Sequence, residues 1–330
     1  NEIPEYMSMR LPQVGGTFVQ AESEVAASNM LYGAAGSGER VMTSSSSPGV
    51  SLMAEAISYL AGAELPVVIV NIMRGGPGLG GILPSQGDYF QATKGMAHGD
   101  FRLLVLAPWS IQEAADLVQD AFDLADFYRN PVMIVGDGLI GQMMEPVEFT
   151  EGREPIKKLE PKTWAATGNP GDRPNNVINS LFLDPEALER HNIKLKAKFD
   201  TMVKDEVRYA DYRTDDEYDV LIVAYGTVAR VCSTAIDELQ EQGLKVAMIR
   251  PITLFPYPYR AVRDAALKAN QVLVVELSAG QMIEDVQLAL EGSRPIHFCN
   301  RMGGMLVSPD EVVDKVRAMV GGQSTEVSHG

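Results

Sequence analysis

Cysteine is almost absent: Cys232 and Cys299 are the only two in 330 residues. They stand far apart, without a CxxC pair or a neighbouring His pair, so neither a disulfide framework nor a zinc or iron–sulfur site is encoded. Both read as buried thiols. Positive charge is also scarce, with 28 Lys plus Arg against 44 Asp plus Glu and a net charge of −16. Nucleic acids and anionic membrane surfaces are held through clusters of Lys and Arg, and no such cluster occurs, which excludes both as main partners. No apolar run approaches the roughly 18 residues of a membrane span, and no charged segment followed by an apolar one opens the sequence. A cytoplasmic protein is expected. Histidine is rare too: His98, His191, His297 and His329 form no motif with the serine run Ser44–Ser47, which lacks a GxSxG context, so hydrolase chemistry is disfavoured. The opening Asn1-Glu2-Ile3-Pro4-Glu5-Tyr6 has no initiator Met and reads like the middle of an element; the natural start is expected to precede it.

What is present suits a globular α/β protein. The length corresponds to about two domains, and 45% of residues are hydrophobic, enough for sizeable cores. Short β-rich runs at 17–21, 40–46, 67–73, 103–107 and 132–136 alternate with helical stretches, the pattern of a parallel sheet covered by helices. Ser23 is positioned to cap the first of these helices, Ser47 with Pro48 to open the second, and Ser110-Ile111-Gln112-Glu113 to form a capping box on the third. The rhythm breaks over 151–215, a connector with Pro155, Pro161, Pro170 and Pro174 and a charged helical stretch from 184 to 212. It returns in a smaller α/β domain over 216–330, with strands at 220–224, 245–249, 272–276 and 296–299 and a last helix announced by Ser308-Pro309-Asp310-Glu311. Residues 1–150 form the first domain in this reading.

Two glycine-rich motifs invite a cofactor. Arg74-Gly75-Gly76-Pro77-Gly78-Leu79-Gly80-Gly81 contains GxGxxG after a strand, but Pro84 follows where the dinucleotide fingerprint needs a helix. The glycines are better read as a loop passing close to a ligand, with Arg74 as a fixed cation at the strand's carboxyl end. Gly136-Asp137-Gly138 followed by Asn175-Asn176 imitates the GDG…NN motif that holds magnesium and thiamine diphosphate, yet the stretch 139–174 is too long for it. Glu24 stands three residues beyond the first expected strand, in a helix's first turn where the macrodipole favours an anion; Glu22 is left to face solvent. On these grounds alone Glu24 is better read as a helix-start charge than as a catalyst.

Three blocks together carry more. Gln20-Ala21-Glu22-Ser23-Glu24-Val25-Ala26-Ala27, then Thr43-Ser44-Ser45-Ser46-Ser47-Pro48-Gly49-Val50-Ser51-Leu52-Met53, then Asn71-Ile72-Met73-Arg74-Gly75-Gly76-Pro77-Gly78 resemble the α chain of thiamine-diphosphate-dependent 2-oxoacid:ferredoxin oxidoreductases, most closely the 2-oxoisovalerate (3-methyl-2-oxobutanoate) type. The resemblance runs from the first residue to about Val320. It implies a pyrimidine-binding domain followed by a transketolase C-terminal-like domain. It further implies that a separate β chain holds the diphosphate and magnesium, that [4Fe-4S] clusters sit on other subunits (a γ chain and a small iron–sulfur δ subunit), that coenzyme A is co-substrate, and that ferredoxin accepts the electrons. Glu24 matches the glutamate that bonds N1′ of the aminopyrimidine and promotes its imino form. Ser46, Ser47, Pro48 and Gly49 would lie against the pyrimidine, where small side chains and free N–H groups allow close approach. Arg74 matches the substrate-side arginine, able to pair with the 2-oxoacid carboxylate. The family's Tyr-Pro-Ile-Thr-Pro segment would stand before Asn1 and is not in the sequence. With ferredoxins usually acidic, a chain of this charge is a poor docking face for one. Within the class, a 2-oxoglutarate or aryl-pyruvate enzyme stays open; outside it, a non-catalytic scaffold subunit or a dinucleotide-dependent dehydrogenase.

Overall fold

The computed structural model describes residues 2–321 apart from 170, 172 and 216, so Asn1, Pro170 and His329 lie outside the described residues. Helix α1 (Glu2–Arg10) and a 3-10 turn (Leu11–Val14) lead into an extended, largely exposed segment. The strand expected at 17–21 does not form: these residues lie in an irregular segment, and no strand among the described residues pairs with them. Helix α2 (Glu24–Gly36) follows, with Ser23 as N-cap accepting from the Ala26 N–H. Then come β1 (Met42–Ser45), α3 (Ser47–Gly62), β2 (Val68–Met73), the short α4 (Tyr89–Thr93), β3 (Leu104–Leu106), α5 (Ile111–Tyr128) and β4 (Val132–Asp137).

The central strands β2, β3 and β4 are apolar over nearly their whole length because helices cover both faces of the sheet. Strand order is β1-β2-β4-β3, all parallel, and the carboxyl ends of β1 and β2 align with Ser45 opposite Asn71.

After the connector come the polar helix α6 (Pro185–Asp205), β5 (Tyr209–Tyr212), β6 (Val220–Val223), α7 (Gly226–Glu241), β7 (Val246–Pro251), β8 (Thr253–Phe255), α8 (Tyr259–Lys268), β9 (Gln271–Glu276), α9 (Met282–Leu290), β10 (Ile296–Asn300) and α10 (Pro309–Val320). The charged helix is shorter than expected. It ends at Asp205, and Tyr209–Tyr212 instead form an antiparallel edge strand against β7, a pairing that Tyr and alternating burial favour. The second sheet has the order β10-β9-β6-β7-β5. β8 does not join it. This strand turns back and pairs antiparallel with β3, so the first sheet takes its edge strand from the later half of the sequence.

The two sheets are pinned together by Gln86, which is buried. Its backbone N–H and side-chain oxygen both bond Leu277, and its amide nitrogen donates to the Tyr225 carbonyl at 3.0 Å. Cys232 is buried and Cys299 only partly so, and both are free thiols. No helix among the described residues is long and apolar enough to cross a membrane.

Candidate active site

In open α/β sheets ligands bind beyond the carboxyl ends of the strands. Here β1 ends in the junction Ser45–Gly49, β2 ends at Met73 with Arg74 just beyond it, and side chains from the start of α2 and from the residue before α4 gather there. Glu24 is the first residue of α2, half-buried, with the positive end of the helix dipole at its back, while Glu22 is exposed. The Glu24 carboxylate has no hydrogen bond or ion pair among the described residues. Gly49 lies directly beneath it: a Cβ built there would stand 2.8 Å from Glu24 Oε1 and 2.1 Å from Ser45 Oγ. A side chain at this position would push Ser45 and Glu24 aside, and its absence is what lets Glu24 lean over the junction.

Ser47 does not cap α3. Ser46 takes the N-cap place with extended backbone (φ −126°, ψ 156°) and no side-chain cap bond, Ser47 is the first helical residue, and Pro48 follows. Released from capping, the Ser47 hydroxyl donates to Asp88 Oδ2 at 2.5 Å and accepts from the backbone N–H of Arg74 at 3.1 Å. Free backbone donors were expected here; Pro48 has none, and the Gly49 N–H is already spent on the Ser46 carbonyl at 2.7 Å. Of the expected donors this leaves the N–H groups of Ser46 and Ser47, at the open start of the helix, beside the small side chains.

Arg74 is half-buried. One of its terminal nitrogens donates to the Leu79 carbonyl at 3.3 Å, and its Nε is buried with no partner. A buried guanidinium N–H without an acceptor costs free energy, and a bound anion would supply one. The loop after Arg74 opens no helix. It closes on itself through Gly75 N–H to Leu83 O and Gly81 N–H to Gly75 O, both 2.9 Å, and Arg74 bridges Pro84. Gly80, at φ +58°, would put a Cβ 1.8 Å from the Gly75 carbonyl oxygen, so this position admits only glycine. On its outer side the loop rests on the Gly303-Gly304 turn: a Cβ on Gly304 would reach 2.6 Å from that of Leu83.

The GDG…NN imitation is explained by packing. Asp137, at the end of β4, accepts the N–H groups of Leu139 and Ile140 at 2.9 and 3.2 Å, and burial pushes its carboxyl above the ordinary range. Gly138 gives way to the loop at Ile82. Asn175 bonds Asn169, and Asn176 bonds the carbonyls of Thr163 and Ala165, so neither asparagine shares a partner with Asp137. Among the described residues no group of three or more His, Cys, Asp or Glu is placed to hold a metal.

Sequence reasoning missed Asp88 and Asn71. Asn71 is fully buried in an otherwise apolar strand, a signal that was legible; its Nδ2 donates to Asp88 at 3.0 Å and its Oδ1 has no partner. Nothing local marks Asp88, which reaches the site through a loop.

Residues 1–225 match the family model for the thiamine-diphosphate-binding unit of pyruvate flavodoxin/ferredoxin oxidoreductases, and 218–312 match core domain II of pyruvate:ferredoxin oxidoreductase. The chain belongs to this oxidoreductase family. Among its relatives in the family, the ketoisovalerate oxidoreductase subunit VorB of Methanothermobacter thermautotrophicus is 48% identical over 98% of this chain and 91% of its own. The 2-oxoglutarate synthase subunit KorA of the same organism is 33% identical over 96% of this chain and 90% of its own. The 2-oxoglutarate:ferredoxin oxidoreductase of Magnetococcus marinus, solved with 2-oxoglutarate, coenzyme A and succinyl-CoA bound, superposes with a TM-score of 0.81 at 25% identity; the match covers 97% of this chain but only 60% of that one. A split-gene transketolase shares the fold, with a TM-score of 0.58 at 14% identity. The α/β class and the oxidoreductase assignment expected from the sequence both hold.

Proposed function

We propose that this chain is the pyrimidine-side subunit of a thiamine-diphosphate-dependent complex that oxidatively decarboxylates a branched-chain 2-oxoacid to an acyl-CoA and CO2. The observation that carries this is Glu24: an unpartnered carboxylate at a helix start, leaning over a floor that only glycine leaves open. That geometry suits a flat ring with a protonated nitrogen, and Glu24 would hold the proton at the aminopyrimidine ring nitrogen. Ser46, Ser47, Pro48 and Gly49 form the small-residue wall along the ring. When bound, the cofactor supplies the nucleophilic carbon that adds to the substrate carbonyl and retains the electrons left after decarboxylation. The Arg74 guanidinium would pair with the substrate carboxylate and set the orientation of the acid.

The branched-chain preference is supported by the 48% identity to a ketoisovalerate oxidoreductase subunit against 33% to a 2-oxoglutarate synthase subunit. In this reading a β chain carries the diphosphate and magnesium. A γ chain, a small iron–sulfur δ subunit and ferredoxin complete this reading, with coenzyme A as co-substrate. We read 1–150 as the pyrimidine-binding domain, 151–215 as the connector and 216–330 as the transketolase C-terminal-like domain of a cytoplasmic protein, a setting that two free thiols suit.

The test is Glu24→Gln in the assembled complex, followed by oxoacid-dependent viologen reduction. Removing the acid should lower kcat by about 100-fold or more, whereas near wild-type turnover would sink the assignment. Rates with 2-oxoisovalerate, 2-oxoglutarate and phenylpyruvate on the same preparation decide the substrate, with 2-oxoisovalerate expected to lead.

A further inference from the structure

We infer that Asp88 is a positioning residue that sets Arg74 through Ser47, an inference that rests on the reading of Arg74 as the carboxylate-binding group. Asp88 Oδ2 receives two donors at once, the Ser47 hydroxyl at 2.5 Å and Asn71 Nδ2 at 3.0 Å. A serine hydroxyl has one proton, and a carboxylate oxygen can only accept, so that proton must point at Asp88. The Ser47 lone pairs are thereby turned to the Arg74 N–H, 3.1 Å away. Without Asp88 the hydroxyl proton has no fixed acceptor and the group is free to rotate, so the Arg74 N–H loses its fixed partner.

The strap joins four places in the chain: the end of β2 at Asn71, the first helical residue of α3, the start of the glycine loop, and the residue before α4. Arg74 is the first residue beyond β2, held on its other side by the bridge to Pro84 and by the Leu79 carbonyl. The Asp88–Ser47 pair is the contact that fixes its backbone to the wall formed by Ser46–Gly49. The Asn71 side chain orients Asp88 and makes no other hydrogen bond among the described residues, its Oδ1 being buried and unpartnered.

The experiment is a double-mutant cycle in the assembled complex, reading KM for the oxoacid and kcat separately, with thermal denaturation as a control for folding. Asp88→Ala and Ser47→Ala should each raise KM about tenfold, the size of one lost charge-assisted hydrogen bond, with kcat changed less. Asp88→Asn keeps an acceptor oxygen and should recover most of the loss. In an Arg74→Met background, Asp88→Ala should add almost nothing to KM. An equal KM effect of Asp88→Ala in both backgrounds, or no effect of either Asp88→Ala or Ser47→Ala in the presence of Arg74, would overturn the inference while leaving Arg74's role intact. An unchanged KM in Arg74→Met alone would instead remove the reading on which it rests.

Discussion

Gly49 separates what the site needs from what the fold needs. In the first turn of a helix, alanine is preferred to glycine by roughly 1 kcal/mol, so propensity argues for Gly49→Ala. Space argues against it, since the new Cβ would sit 2.1 Å from Ser45 Oγ and 2.8 Å from Glu24 Oε1. Both obstructing atoms belong to side chains that can turn aside. Stability should therefore fall by no more than about 2 kcal/mol, while Glu24 is displaced and kcat falls at least about tenfold. A variant that melts like wild type and turns over normally would show that Glu24 does not need its present position. Glu24, Arg74 and the junction stand out in the sequence as candidates because each lies in a contiguous block. Asp88 does not, because its role is defined by Asn71 and Ser47, 17 and 41 positions away, and only the fold brings these together.

At the scale of elements, α6 shows how a polar helix is held. Glu64, in the turn after α3, is buried and receives Lys194 and Lys198 from two successive turns of α6. Burial alone would raise the Glu64 carboxyl, but the hydrogen bond from Lys194 and the charges of Lys198 and Arg129 hold it below its ordinary value. Lys198 suffers the opposite imbalance: burial outweighs Glu64 and pushes its ammonium down from 10.5 to about 8. Between about pH 8 and 10.5 the unfolded chain keeps the Lys198 proton that the folded chain has lost, so this residue's contribution to stability improves as pH rises across that window. Below it both states are charged and the full burial cost stands. The stability of Lys198→Met relative to wild type should accordingly decline across the window, by up to about 3 kcal/mol, in urea unfolding at a series of pH values. A pH-independent difference would mean that Lys198 is not perturbed.

Helix α5 gives the corresponding lesson about reading caps from sequence. Ser110 accepts from the Glu113 N–H as the capping box requires, but the Glu113 carboxylate leaves the box. It accepts from the Trp109 N–H and pairs with buried Arg250 of β7 through two bonds of 2.8 and 2.9 Å. By contrast the box at Ser308 and Glu311 closes completely. Local patterns named the longer helices that cover the sheets and the buried parallel strands, because those depend on residues next to each other, but missed α1 and the short α4. They placed a strand at 17–21 and extended a helix across Tyr209–Tyr212, because whether an extended run becomes a strand depends on a neighbour supplied from elsewhere in the chain.

Over the whole molecule the two sheets are interlaced rather than merely joined. β5 completes the second sheet before its central strands are reached, and β8 returns from the second sheet to complete the first. A fragment of residues 1–225, which spans the thiamine-diphosphate-binding family match, would leave β3 without β8: Val105 and Leu106 lose Phe255 and Thr253, and the Ala107 N–H loses the Ile252 carbonyl at 2.8 Å. An apolar three-residue strand with an open edge invites pairing with other copies. Sedimentation of the fragment should show self-association or an unfolded chain at concentrations where the full chain is discrete. A folded monomer would mean that β8 is dispensable.

The glycine turn at 303–304 gives this interlacing a bearing on substrate choice. Backbone of the second unit stands where side chains of the Arg74 loop would otherwise spread: a Cβ on Gly75 would lie 3.0 Å from the Gly303 carbonyl carbon, and one on Gly304 2.6 Å from the Leu83 Cβ. The arginine that would orient the acid thus rests on a support more than two hundred positions later in the chain. Drift in either half is then felt by the other, and the two must change in step if one enzyme of this kind is to become another with a differently shaped pocket.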